Sequence, residues 1–161
     1  MADRDAAAQE IVEKYVWWAA GAGLVPIPIL DMAAITAVDV KMIKELSDVY
    51  GVAFTEERGK AVVVSLAGGV TAGLLARSAG VGRLIRMIPL VGQTVGALSM
   101  SLFGGAFTYA IGRVYVQHLT TGGTLLDFEP EKARAFIAEE YQKGKRVVLR
   151  RREPASAPAP A

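Results

Sequence analysis

The chain has 161 residues, which is the size of a single domain and is enough to bury one hydrophobic core. Apolar residues make up 52% and cysteine is absent, so the sequence excludes disulfides and thiolate metal sites. The net charge is +2, but residues 1–60 carry six Lys/Arg against ten Asp/Glu, whereas residues 61–161 carry twelve against six. The N-terminus is acidic where a secretory signal would be basic, so no signal peptide is predicted.

The first predicted helix covers residues 6–23 and places Tyr15 and Trp18 on one apolar stripe. The stretch "VPIP" ends this helix, because Pro26 and Pro28 lack a backbone donor and disfavour helix in the residue before each of them. The first helix is therefore followed by an apolar, proline-containing break.

Asp31 is expected to cap a second helix over residues 32–50 at its N-terminus. Gly51 follows as the expected C-cap glycine. Thr55 then opens a third helix, whose first turn is acidic and so suits the positive end of the helix dipole.

The stretch "MIPLVG", which contains Pro89, breaks the chain a second time. A fourth helix is predicted over residues 93–119, followed by a Gly122–Gly123 turn and a short amphipathic helix from Pro130. The order helix, apolar proline break, helix thus occurs twice.

We therefore predict an all-α fold in which two proline-broken apolar helical hairpins form a four-helix core. A short C-terminal amphipathic helix and a disordered tail complete it. The helical hairpin domain is placed at residues 6–142, and residues 143–161 are assigned to a basic segment and a Pro/Ala-rich disordered tail.

The apolar segments fit two environments. A spanning helix needs about 20 consecutive apolar residues. Residues 87–112 supply 26 without a charge, but Pro89 and five glycines interrupt them. The alternative is a compact soluble bundle whose central helices are apolar.

Three features favour contact of the hairpin tips with a membrane or a partner. Indole side chains precede the first break, where interfacial tryptophans are common. Arginines with no acid between them precede the second break, which suits an anionic leaflet. Glycines spaced four apart, Gly69 with Gly73 and Gly92 with Gly96, allow close helix approach. The candidate contact residues are Trp17, Trp18, Pro26, Pro28, Pro89, Arg77, Arg83 and Arg86.

The stretch "KGKRVVLRRR" is a second candidate surface, with six Lys/Arg and no acid. It is predicted to contact an anionic surface, with a solvated disordered tail as the alternative. Nucleic acid fits less well, because no aromatic residue interleaves the charges and no reading module is recognisable. The residues concerned are Lys143, Lys145, Arg146, Arg150, Arg151 and Arg152.

The sequence contains no constellation typical of catalysis. His118 is the one histidine, and we interpret it as a polar residue at a helix end and not as a metal ligand. The Gly-Lys pairs at 59–60 and 144–145 lack the Ser/Thr that must follow in a phosphate-binding loop. We therefore predict no enzyme activity, no cofactor and no metal.

The segments "VPIPILDMAAITAVDVKMIKELSDVYGVAFTEERGKAVVVSLAGG", "IPLVGQTVG" and "TYAIGRVYVQHLTTGGTLLDFEPEKARAF" resemble the YcjF-type domain of unknown function. The shared motifs include Pro26-x-Pro28 and Tyr109 with Gly112-Arg113. In bacteria that domain occurs alone and fused to Era-like or dynamin-like GTPase domains. The resemblance implies an α-helical, membrane-associated protein that works with a GTPase, here supplied in trans.

Two functions from different classes follow. The first is a membrane-associated helical adaptor or anchor at the inner membrane or the cytoplasmic face of a membrane. It would bind the lipid bilayer and work with a GTPase or a larger assembly. The second is a soluble or peripheral homo-oligomeric scaffold.

Overall fold

The computed structural model describes the backbone of residues 2–22, 24, 28–78 and 91–152. Within these ranges every regular element is an α-helix, so the predicted all-α class is confirmed. The five helices described are α1 (Ala2–Ala22), α2 (Pro28–Tyr50), α3 (Glu56–Ser78), α4 (Val91–Thr120) and α5 (Pro130–Arg152).

Glycine ends two of the helices by taking a left-handed conformation. After α2, Gly51 has a φ of 69°, and the N–H groups of Gly51 and Val52 donate to the carbonyls of Asp48 and Ser47 at 3.2 and 2.9 Å. α4 ends in the same way at Gly122, whose φ is 84°. This arrangement satisfies carbonyls that have no partner inside the helix, and it confirms both predicted glycine stops.

α2 begins at Pro28, one turn earlier than predicted. Proline suits the first position of a helix, because its fixed φ is helical and its missing N–H would have had no partner there. Asp31 therefore lies inside the first turn of α2, and the prediction that it is the N-cap is wrong.

α4 lies at the centre of the bundle and packs most extensively against α5 and α1, and also against α2. α3 lies mainly against α5 and α2. The core therefore draws on all five described helices, and α5 belongs to it. The largest fully buried side chains are Tyr115, Phe107, Ile35, Met42, Ile43, Leu46, Leu66, Ile111, Ile137, Val16, Val63 and Val148.

Glycines allow the backbones of α1 and α5 to approach α4 closely. A Cβ atom at Gly104 would lie 2.9 Å from the carbonyl oxygen of Ala19, and one at Gly144 would lie 2.8 Å from that of Ala106. Neither gap admits a side chain unless the backbone shifts. The glycine pairs named from the sequence lie among residues whose packing is outside the described part of the chain.

α5 continues to Arg152 and is longer than the predicted short helix. The reason is that its buried positions recur at spacings of four, three and four, at Ile137, Tyr141, Gly144 and Val148. Residues 143–152, assigned from the sequence to a basic segment, are thus the last turns of a packed helix. Residues 153–161, the predicted disordered tail, lie outside the described residues.

The packing generates a test that uses two helical glycines in opposite surroundings. Gly144→Ala should lower the free energy of unfolding by about 1–3 kcal/mol, because the new methyl group meets the backbone of Ala106. Gly68→Ala meets no atom within 4 Å and should raise it by up to about 1 kcal/mol through helix propensity. Urea denaturation followed by circular dichroism measures both changes. Equal effects of the two substitutions would contradict close α4–α5 packing.

Candidate functional site

The end of α1 and the last turns of α5 meet beside one stretch of α4. The Ser101 hydroxyl of α4 donates to the carbonyl of Ala20 in α1. Within the next turn of α4, a Cβ at Gly105 would touch Val148 of α5. Candidate residues far apart in the sequence thereby come together at what we call the basic end, formed by Trp17, Trp18, Lys145, Arg146, Arg150 and Arg151.

The two adjacent tryptophans of the basic end have different surroundings. Trp17 is half-buried, and the guanidinium carbon of Arg151 lies 5.2 Å from its ring centroid, within cation–π range. Trp18 is 58% exposed, and its ring centroid lies 5.9 Å from that of the buried Tyr15, with which it shares the predicted stripe. The helix buries Val16 and Ala19 on either side of the tryptophan pair.

A cleft of about 210 Å³ opens beside Trp17 between α1, α4 and α5. Its walls include Tyr109 of α4, Arg150 and Arg151 of α5 and one acidic residue, Glu13 of α1, while Val16 and Val147 supply apolar surface. The basic end therefore combines aromatic, apolar and cationic surface in one concave region.

The basic residues of α5 fall into two groups. Lys143 is engaged by Glu139 and Glu140, whose carboxylates lie 2.9 and 2.8 Å from its ammonium group. Arg146, Arg150 and Arg151 are exposed, and Lys145 is half-buried. Lys143 was predicted to contact an anionic surface together with the others, and in the structure its ammonium group pairs with these two carboxylates.

Several predicted contact residues fall where the structure does not describe side chains. Pro28, Arg77 and Arg152 belong to α2, α3 and α5, but their side chains lie outside the described part. The remaining four lie wholly outside the described residues and are Pro26, Arg83, Arg86 and Pro89.

α4 extends beyond α1 at the basic end. It begins at Val91, whereas Ser101 already contacts Ala20 near the end of α1. The intervening residues 91–100 carry no charge and correspond to about 15 Å of helix. Among the described helices, however, none combines the length and hydropathy that a bilayer-spanning segment requires.

A buried carboxylate, which the sequence analysis did not single out, joins α2 to α4. Thr108 Oγ1 donates to Asp39 Oδ1 at 2.6 Å, and the buried Oδ2 has no hydrogen-bond partner among the described residues. Desolvation raises the pKa of Asp39 to about 8, although the bond from Thr108 opposes the shift. The sequence could have predicted the burial of Asp39, since this residue lies on the same helix face as the apolar residues Ile35, Met42 and Leu46.

A second buried polar contact lies two helical turns further along both helices. The Ser47 hydroxyl donates to the carbonyl of Ile43 at 2.7 Å and lies 2.8 Å from the hydroxyl of Tyr115. Burial raises the pKa of Tyr115 above its usual value, although the bond to Ser47 opposes the shift. Together with Asp39 and Thr108, this contact sets the register of α2 on α4.

His118 is a helix-end residue, as predicted. Its Nε2 atom lies 2.8 Å from the carbonyl oxygen of Thr124, and its ring meets Phe128 edge-on at a centroid distance of 5.0 Å. These contacts hold the α4–α5 loop against the end of α4. Among the described residues, no group of three or more His, Cys, Asp or Glu side chains could hold a metal.

The shifted pKa of Asp39 predicts how stability depends on pH. Because its folded pKa of about 8 exceeds the unfolded value of about 4, the unfolded chain releases this proton first as pH rises. The contribution of Asp39 to the free energy of unfolding therefore falls between about pH 4 and pH 8. Asp39→Asn should remove this fall and stabilise the chain most at the alkaline end of that range.

Urea denaturation at several pH values within this window measures the effect. The matched control is Asp48→Asn, the same change at an exposed position of α2 whose carboxylate pairs with Lys44 at 3.1 Å. It should leave the pH dependence of the wild type nearly unchanged. An Asp39→Asn variant with the same pH dependence as the wild type would show that Asp39 does not carry it.

Comparisons with known proteins identify the family to which this helical chain belongs. The sequence matches the domain of unknown function DUF697 over residues 1–146. It is 40% identical over 147 residues to magnetosome membrane protein 22 of Magnetospirillum gryphiswaldense, covering 91% of this chain and 75% of that protein. No solved structure matches the chain. With a family match across most of its length and a relative of this similarity, the chain belongs to the DUF697 family.

Proposed function

We propose that this chain is a membrane-associated helical adaptor that holds a larger assembly at an anionic membrane surface. In this proposal the basic end meets the lipid headgroups at the cytoplasmic face of the inner membrane. The chain performs no catalysis of its own.

The composition of the basic end is the observation that carries the proposal. Arg146, Arg150 and Arg151 are exposed there, and so is the indole of Trp18. Anionic headgroups attract Lys and Arg near the membrane surface, and indoles favour the boundary between headgroups and hydrocarbon. Cations and an indole at one end of a bundle suit that boundary.

The opposite end of the bundle has the other charge sign. At the starts of α1 and α3 and in the α4–α5 loop, six acidic side chains outnumber the two basic ones, Arg4 and Arg58: Asp3, Asp5, Glu56, Glu57, Asp127 and Glu129. An anionic surface would therefore attract one end of the protein and repel the other, which favours a single orientation.

The relatives give separate support for the membrane and for a partner. The similar protein of Magnetospirillum gryphiswaldense is named as a magnetosome membrane protein, which supports membrane association of this chain. The resemblance to the YcjF-type domain supports a GTPase acting in trans. In the proposed orientation, the acidic end faces the aqueous phase and is where such a partner would dock.

A homo-oligomeric scaffold is the second candidate function. It is favoured by Val64 on α3 and Phe136 on α5, which are 62% and 43% exposed in the single chain. A second copy could cover these apolar side chains without lipid.

Removing charge at the basic end tests the proposal. Changing Lys145, Arg146, Arg150 and Arg151 together to Gln should weaken binding to phosphatidylglycerol-containing vesicles by at least about a hundredfold, because each cation adds attraction near the surface. Added salt should weaken wild-type binding in the same direction. Vesicle co-sedimentation measures both effects, with pure phosphatidylcholine vesicles as the neutral surface.

The matched control removes the same charge from other surfaces of the bundle, by changing Lys44, Arg58, Lys60 and Lys132 to Gln. It should keep nearly full vesicle binding. Equal losses in both variants would show a response to net charge alone and reject the basic end as the contact. Wild-type chain that binds no anionic vesicle and sediments as an oligomer would favour the scaffold.

The two tryptophans provide an independent measurement of orientation. In a Trp17→Phe variant, the remaining Trp18 should be quenched by lipids brominated near the headgroup, because its indole is exposed at the proposed contact. In a Trp18→Phe variant, Trp17 should be quenched less, since it lies under Arg151. Vesicle-bound protein in which Trp18 is not quenched would contradict the proposed orientation.

A further inference from the structure

Arg113 of α4 and Glu140 of α5 face each other without forming a hydrogen bond. Arg113 Nε lies 3.9 Å from Glu140 Oε2, whereas a charge-assisted bond closes at about 2.7–2.9 Å. Both atoms are buried, and neither has a hydrogen-bond partner among the described residues. The other carboxylate oxygen, Oε1, accepts from Lys143 at 2.8 Å, which anchors Glu140 on its own helix.

The two residues border a cavity of about 280 Å³ between α1, α4 and α5. This volume is several times the roughly 30 Å³ that one water occupies in the liquid. The side-chain amides of Gln9 and Gln117, which also line the cavity, donate to and accept from no group in the described residues. The polar side chains of the wall are Asp5, Gln9, Arg113, Gln117, Thr120 and Glu140.

Local packing fixes the wall that α1 contributes. A Cβ at Gly112 would lie 2.7 Å from Val12 Cγ2, so α1 crosses α4 closely beside Arg113. This contact brings Gln9, one turn before Val12, to the cavity. Asp5, a further turn back, accepts from the Tyr50 hydroxyl at 3.1 Å. The cavity is therefore built by the same glycine packing that holds the bundle together.

The charges of the residues that line the cavity restrict which kinds of ligand can bind there. An anion would meet the carboxylates of Asp5 and Glu140, and a cation would meet Arg113 and the neighbouring Lys143. Glu140 Oε2 only accepts hydrogen bonds and Arg113 Nε only donates them, so a group between them must do both. Water and hydroxyl groups both do so while remaining neutral, and the cavity of about 280 Å³ has room for a molecule that carries several hydroxyl groups. We infer that this cavity binds a small neutral polyol or sugar through its hydroxyl groups, with Arg113 and Glu140 sharing one of them.

This site lies away from the basic end and does not depend on the proposed membrane contact. Arg113 is about 18 Å along α4 from Ser101, which marks the end of α1. A lipid headgroup held at the basic end would not reach the cavity at that distance. The hydroxyl compound we infer is therefore a freely diffusing solute.

Titration of the full chain with glycerol, myo-inositol and glucose tests the inference, using saturation-transfer NMR for contact and calorimetry for affinity. At least one of the three should bind saturably, and sodium phosphate and glycine should not compete. Glu140→Gln should weaken binding by about tenfold or more, because it removes the charge from the accepting group. Gln117→Ala, at an exposed position of the wall, should weaken it by a smaller factor.

Glu139→Gln is the matched control. It removes the same charge from the adjacent residue, and its carboxylate also pairs with Lys143, but Glu139 does not line the cavity. The affinity of the Glu139→Gln variant for the polyol should stay within about twofold of that of the wild type. If Glu140→Gln does not fold, the inference is tested by comparing the polyol affinity of Gln117→Ala with that of Glu139→Gln. Absence of binding by all three polyols, displacement by phosphate or glycine, or equal losses in the wall and control variants would overturn the inference.

Discussion

The close approach of α1 and α5 to α4 is the constraint on which the rest of the structure depends. At Gly104 and Gly144, backbone meets backbone at distances that leave no room for a side chain. The attraction gained is dispersion between many closely packed atoms, and it requires glycine at the crossing points. The cleft of the basic end and the Arg113–Glu140 cavity both lie between these three helices, so the glycine contacts set where their side chains meet.

Tight packing also explains why buried polar groups have such influence in this bundle. Between α2 and α4, Asp39 is fully removed from water and receives one hydrogen bond from Thr108. In that environment the neutral carboxyl is favoured, because a desolvated charge is costly. The exposed ion pair of Lys14 and Glu45, at 2.6 Å, has a much smaller effect on the free energy of unfolding, since water and salt screen it. The buried contacts therefore determine the register of α2 on α4.

Charge is separated along the bundle because α1 and α5 both run opposite to α4, so the first turn of α1 and the last turns of α5 lie at opposite ends. Acidic residues in the first turns of α1 and α3 and basic residues in the last turns of α5 each complement the dipole of their own helix. Arg151 is further held over the ring of Trp17, which lowers the freedom it would lose on binding an anion. Local stabilisation of each helix thus also yields a molecule with two electrically different ends.

The sequence by itself determined the helices and most of their ends, because these depend on neighbours within one turn. Gly51 and Gly122 stop helices through their own backbone freedom, and periodic apolar residues specify helix wherever the chain folds. Tertiary structure decided which side chains are desolvated, because that depends on residues distant in sequence. Trp18 is exposed, while its neighbour Trp17 lies under Arg151. Asp39 is buried, and its carboxylate accepts a hydrogen bond from Thr108 across the core in place of water. The Arg113–Glu140 cavity has no local signal at all, since three helices must converge before its wall exists.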